Sequence, residues 1–289
     1  MMRSLDRVIY YGLQPLLMVG VLTFWYFNQS LPSAYILIVL AVQLILGVTE
    51  HLRPARPEWV QRWREKSRNL IIVVLILLGS IWVIEFYNTN LTTPLKAMRE
   101  ASGLDIWPHH WPVFYQLFLA FFVKEFVWYW MHRAQHRWRL VWRTSGHGAH
   151  HAFKNLGAIN FGANHPLELF FLAIPGVLLE VLFGVGVAAA GSVILLTTQA
   201  SIAHSNIRMN SKLVGWLFTT NRYHIHHHSA ILEESNTNYG CAALIWDRIF
   251  GTFADAETIE TGTGPTEPTT WQKLVMPMRE LDDTAIAPG

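Results

Sequence analysis

Three histidine boxes carry the chemistry of this chain. The first is His132-x-x-x-His136, the second His147-x-x-His150-His151, and the third, after a long apolar interval, His224-x-x-His227-His228. On a helix, residues at i, i+3 and i+4 share one face, so each box presents its nitrogens to one side, as a metal requires. Two HxxHH triples arise by chance from 14 histidines with odds on the order of one in a thousand or less, so they read as a site. One zinc takes four ligands and a catalytic zinc usually three, so eight imidazoles exceed a mononuclear site and suit two metals. Imidazole alone does not choose between Fe, Cu, Ni and Zn. No HExxH zinc-protease motif and no Glu-x-x-His pair of a carboxylate-bridged di-iron bundle is present. The lone Cys241 leaves no internal disulfide and no Cys-based zinc or iron–sulfur site within one chain.

Other residues enter this reading with less weight. His204, at the end of an apolar stretch and 20 residues before the third box, is a candidate ninth ligand. His165, at the start of an apolar segment, is a candidate further ligand or a hydrogen-bond partner of one. His226 points away from its box on a helix, and His51, His109 and His110 read as bland. Glu125, beside Lys124 within an apolar run, either orients a ligand histidine or pairs with a basic partner. No catalytic residue beyond the metal ligands and no cofactor-binding motif stands out. Trp128, Trp130, Trp138 and Trp142 read as an interfacial aromatic belt.

The elements that must position these histidines are membrane helices. The 289 residues are 52% hydrophobic and only 15% charged, unusual for a soluble chain. Apolar runs of 18 to 21 residues cover Val8 to Asn28, Leu31 to Val48, Leu70 to Tyr87 and Val113 to Trp130. Two more fall within Pro166 to Ala203, turning at Gly184 and Gly186, either as spans or as a re-entrant hairpin. With the N-terminus cytoplasmic, 19 of the 22 Lys and Arg fall on the inner side, and so do all three boxes. The segment His51 to Asn69, rich in Arg with Trp59 and Trp63, suits the head-group level. A net charge of +2 next to the membrane fits anionic lipid and gives no sign of nucleic-acid binding. The acidic Thr/Gly/Pro-rich stretch from Ala254 to Thr270 reads as a flexible linker. The fold class is therefore all-α: an integral membrane bundle of 4–6 transmembrane helices with a cytoplasmic helical cap holding a His-rich dimetal site. The expected divisions are 1–112 (N-terminal membrane helices), 113–254 (catalytic domain) and 255–289 (C-terminal tail).

Histidine boxes of this kind between membrane spans, closed by Asn238-Tyr239-Gly240 and by Trp246-Asp247-Arg248 to Gly251-Thr252, resemble the fatty acid hydroxylase or sterol desaturase superfamily. The resemblance covers roughly Leu117 to Phe253 and implies a membrane-embedded, non-haem di-iron enzyme. Such an enzyme uses O2 and two electrons to hydroxylate, or alternatively desaturate, a fatty-acyl, sterol or related lipid. It implies iron ligands at His132, His136, His147, His150, His151, His224, His227 and His228, with His204 matching a further family histidine. Arg208 stands where some relatives have another His, with His165 the candidate replacement. Zinc can replace iron in a purified sample. Electrons would come from a separate ferredoxin-, rubredoxin- or cytochrome-like donor docked on the basic loops from Arg133 to Arg143. A metal carrier is the rival class, but carrier ligands would be spread along the spans rather than clustered.

Overall fold

The structure, a computed structural model, describes residues 4–31 and 33–278. Arg3 and Arg279 of the charge count, and the tail beyond 278, lie outside the described residues. No strand occurs among the described residues; isolated bridges pair Pro54 with Ile207 and Ser229 with Thr261. Six long helices build the bundle: α1 (Ser4–Phe27), α2 (Ala34–Leu52), α3 (Trp63–Tyr87), then α5 (Val113–Arg137), α8 (Glu168–Phe183) and α9 (Val187–His204). A π-turn at Asn88–Thr92 leads from α3 into α4 (Thr93–Ala101). Short helices make the cap: α6 (Arg139–Ser145), α7 (His147–His151), α10 (Ser211–Val214), α11 (Asn221–His227), α12 (Leu232–Ser235), α13 (Ile245–Phe250) and α14 (Thr270–Val275).

Four helical segments, Ser4–Phe27, Ala34–Leu52, Trp63–Ala101 and Val187–His204, are long and apolar enough to cross a membrane. Their outward faces are as apolar as their inward ones: Leu16, Leu44, Leu75 and Ile81 are all exposed. Such a surface is stable only against lipid, so the protein is an integral membrane protein. Both remaining long helices pack into the same bundle. The turn between α8 and α9 falls at Gly184 and Gly186, where the sequence places it.

α9 is the central post. Its small and hydroxyl side chains are buried along most of the helix, from Ala188 to His204. A Cβ on Gly191 would sit 2.3 Å from Leu117 and 2.7 Å from Trp25, so the absence of a side chain there lets α1 and α5 approach. Polar links hold the packing where no water competes: the Gln14 amide donates to Gln199 at 3.1 Å and to the Thr219 carbonyl at 3.2 Å, and Gln43 donates to Ser201 at 2.9 Å.

The helices alternate in direction. α1, α3 and α8 run away from the cap; α2, α5 and α9 run toward it. At the far end Trp107 donates to Gln116 and packs near Phe183, while Tyr26 meets Phe114. At the cap end the N–H of Asn210 reaches the carbonyl of Tyr10, and that of Asn206 reaches Glu50. All three boxes therefore lie at one end of the bundle. His109 lies at the other, where its ring faces Asp105.

The stretch from Ala254 to Thr270 departs from the linker expectation. It is an ordered strap across the third box. The Ala254 N–H donates to Asn238, the Ala230 N–H to the Glu260 carbonyl, and Thr261 is fully buried with its hydroxyl on the Lys154 carbonyl. Composition hides this because the partners lie in distant loops.

Candidate metal centre

Nine histidines converge. One group joins His132, His136, His147, His151 and His227; the other joins His150, His204, His224 and His228; within each, the nearest nitrogens lie within 4.8 Å of one another, and all nine residues are buried. The partition follows from helix geometry. Successive residues turn by about 100°, so i and i+4 nearly eclipse while i+3 diverges. In the second box the i and i+4 pair, His147 and His151, serves the first group and His150 the other; in the third box His224 and His228 serve the second group and His227 the first. Each HxxHH box thus straddles both groups instead of feeding one centre. Where the groups meet, the rings of His151 and His228 stack at 4.2 Å and 17°.

The chain fixes these rings from behind. Nδ1 of His132 donates to the Tyr239 carbonyl (2.6 Å), that of His227 to Thr237 (2.8 Å) and that of His204 to Ala200 (2.7 Å). Nδ1 of His147 meets Glu168 Oε1 at 2.5 Å. A neutral imidazole carries one N–H, so with Nδ1 donating, Nε2 is a bare lone pair. Yet Nε2 of His132 faces Nε2 of His227 at 3.0 Å and that of His147 at 2.9 Å. Likewise Nε2 of His204 faces those of His150 and His224, both at 3.1 Å. Nδ1 of His150, His151, His224 and His228 has no protein partner.

Burial, and then the neighbouring imidazoles, hold the cap histidines His147, His150, His151, His224, His227 and His228 well below the ordinary value of 6.5. They are neutral at pH 7, and where both facing rings already donate through Nδ1, as His132 does with His147 and His227, no proton is left to bridge the Nε2 atoms. A buried unpaired polar atom costs about 1–3 kcal/mol. The three bare Nε2 atoms of His132, His147 and His227 would together cost on the order of 3–9 kcal/mol, a large part of the stability of an ordinary domain. Cations between the nitrogens remove that cost, and the spacing fits them. Two nitrogens about 2.1 Å from one ion are about 3.0 Å apart at right angles and about 3.4 Å apart at a tetrahedral angle. The observed 2.9–3.2 Å lies in the range of nitrogens that share one ion.

The surrounding residues complete the site. Gly146 enters α7 at φ +74, and a Cβ there would strike the His165 ring at 2.5 Å, so the turn that aims the second box needs glycine. Trp128 stacks on His132 at 5.5 Å, and Trp142 lies edge-on to His136 at 5.2 Å. Both are buried, unlike the exposed Trp130 and Trp138, so only part of the tryptophan set behaves as an interfacial belt. Asp247 accepts the N–H groups of Tyr239 and Gly240, each at 2.7 Å, and the Thr252 hydroxyl. It thereby holds the carbonyl on which His132 rests. Asn238 bonds Tyr223 and Ala254, tying that turn to α11 and the strap.

Two sequence readings change. His165 stands apart from both groups: its Nδ1 accepts the Leu167 N–H and its Nε2 meets the Leu274 carbonyl, so neither nitrogen is free to replace the missing family histidine. Glu125 orients no histidine; its Oε2 accepts the N–H groups of Ala242 and Ala243 and pins the cap loop to α5. The carboxylate that does meet a ring of the first group, Glu168, escaped sequence reading because it is 21 residues from His147. Its one sequence signal is its place at the first turn of a helix that begins beside the second box. His226 lies outside both groups, near Thr258 and Glu234.

Residues 117–252 match the fatty acid hydroxylase family. Over 115 residues the chain is 36% identical to the ornithine lipid hydroxylase OlsE of Rhizobium tropici, which covers 37% of this chain and 33% of that protein. The chain thus matches about a third of that relative's length. No solved structure matches. Through residues 117–252, just under half of the chain, with their boxes and the Asp247-braced turn, the protein is similar to the fatty acid hydroxylase family.

Proposed function

We propose that this protein is an O2-dependent, di-iron hydroxylase that converts a C–H bond of a membrane lipid to C–OH. The observation that carries the reading is the set of buried imidazole nitrogens facing one another in two adjacent groups. Five donors in one group exceed the four of a structural zinc site, which favours a metal of higher coordination. Clustering at one end of the bundle speaks against a carrier. The relative named as an ornithine lipid hydroxylase supports an acyl lipid as substrate. Basic residues crowd the cap end, which supports a cytoplasmic cap.

When bound, a pair of iron ions supplies the activation of O2 that an inert C–H bond requires. The balance is R–H, O2, two electrons and two protons to R–OH and water. With a single Cys in the chain, the electrons come from a separate ferredoxin-, rubredoxin- or cytochrome-like protein. This chain's own residues hold the nine rings, keep His147 in one tautomer through Glu168, and exclude water with Trp128 and Trp142. The test is metal analysis of anaerobically purified protein joined to lipidomics of cells with and without it. Iron in the protein and a lipid heavier by one oxygen support the reading. A product lighter by two hydrogens means desaturation, and an unchanged lipid profile overturns both.

A further inference from the structure

Between α2 and α3 the bundle leaves a cleft of about 960 Å³, at the upper end of the roughly 300–1,000 Å³ typical of ligand sites. Its lower part is apolar, walled by Leu44, Gly47 and Val48 of α2 and Leu70 of α3. Its upper part, at the cap end, is rimmed by Arg62, Trp63 and Lys66. Among the described residues neither the Arg62 guanidinium nor the Lys66 ammonium forms a salt bridge, although Lys66 lies close enough to act electrostatically on Glu50. The one carboxylate in the wall, Glu50, is engaged elsewhere, accepting the N–H groups of Ala158 and Asn206 at 2.7 and 2.8 Å. The cleft ends at Leu156, which packs with Phe153 and Ile225. Those two flank the boxes, Phe153 two residues past His151 and Ile225 next to His224.

We infer that this cleft binds an acyl lipid with an anionic head group, its phosphate or carboxylate beneath Arg62 and Lys66 and its chain along Leu44, Gly47 and Leu70. Charge complementarity selects the occupant: two cations without a salt-bridge partner, facing a single carboxylate already held by backbone N–H groups, above an apolar trough match a negative head on a hydrocarbon tail, and a zwitterionic lipid gains less there. As the site that presents substrate it rests on the hydroxylase reading; as a lipid site it stands on the cleft alone.

The experiment uses the full chain in phosphatidylcholine nanodiscs containing a little phosphatidylglycerol with a diazirine in its acyl chain, followed by peptide mapping of the crosslinks. Residues 43–52 and 63–70 are expected to label above the lipid-facing surface of α1 around Gly20. Gly47→Phe fills the cleft at a position where a Cβ meets nothing within 4 Å, and lowers cleft labelling about fivefold or more. Gly20→Phe, equally unobstructed, leaves it unchanged. Arg62→Glu with Lys66→Glu abolishes the preference for the phosphatidylglycerol probe over a phosphatidylcholine probe. Helicity and metal content of each variant report folding. Cleft labelling no greater than at α1, or unmoved by Gly47→Phe or by head-group charge, overturns the inference. Labelling as expected without oxygenated product in cells keeps the lipid site and removes the hydroxylase reading.

Discussion

Glu168 meets His147 through a 2.5 Å contact between Oε1 and Nδ1, with both side chains buried. The side chain of Glu168 lies behind a ring of the first histidine group and fixes its tautomer. Loss of such a partner typically lowers metal affinity about 10–100-fold. Glu168→Gln keeps the size and a hydrogen bond while removing the charge, and is expected to weaken metal binding in that range with helicity unchanged. Competition against a chelator measures it; an affinity equal to the parent's removes Glu168 from the centre.

His204 tests the second group in the same way. It alone brings α9 to the site, and its ring contacts both His150 and His224. His204→Ala is expected to reduce bound metal from about two ions per chain toward one. His165→Ala and His226→Ala, outside both groups, should leave the count unchanged. Metal analysis of purified variants separates these outcomes, and loss of metal from His165→Ala would reinstate it as a ligand.

The boxes were legible because their spacing is local, as was the membrane character, which follows from run length. The bracing was not. Glu168 reaches His147 from 21 positions away and Tyr239 reaches His132 from 107, distances across which no periodicity carries information. The division of each HxxHH box between two groups was within reach, since the 100° helical turn already separates i+3 from i and i+4. The strap from Ala254 to Thr270 misled because low hydrophobicity signals disorder only when backbone groups lack partners, and here Asn238, Ala230 and Lys154 supply them.

Acid should unfold the metal-free cap. The buried cap histidines are held well below 6.5, so the unfolded chain binds more protons just below that value. Stability is then fully present above pH 6.5 and is lost as the pH falls from there toward the folded values, by up to about 1.4 kcal/mol per pH unit per imidazole. Metal binds only the neutral ring and moves the loss to lower pH. The melting temperature of chelator-treated protein should be level from pH 8 to 7 and fall steeply below 6.5; a flat profile to pH 5.5 contradicts the burial of neutral imidazoles.

Donor docking has an electrostatic signature. Arg137 is exposed beside the first box, and Trp142, edge-on to His136, lies between α6 and the first group. Reversing Arg137 and Arg139 to Glu is expected to lower donor-supported turnover about tenfold at low salt, with the gap narrowing as ionic strength rises. Equal rates at low salt would place the donor elsewhere.

Asp247 joins the cap's second half to the first box through one turn. Its carboxylate takes the N–H groups of Tyr239 and Gly240 and the hydroxyl of Thr252, and the Tyr239 carbonyl in turn takes the His132 Nδ1 proton. Asp247→Ala strands two buried N–H donors, at about 1–3 kcal/mol each, while the Thr252 hydroxyl keeps Tyr129, so a destabilisation of about 2 kcal/mol or more is expected. Asp247→Asn retains an acceptor and should cost less, yet the reoriented turn still loosens His132. The discriminating measurement pairs unfolding with metal content: in Asp247→Asn the metal of the first group should be lost at temperatures where the helices persist, whereas simultaneous loss would make Asp247 a brace of the cap as a whole and not of the centre.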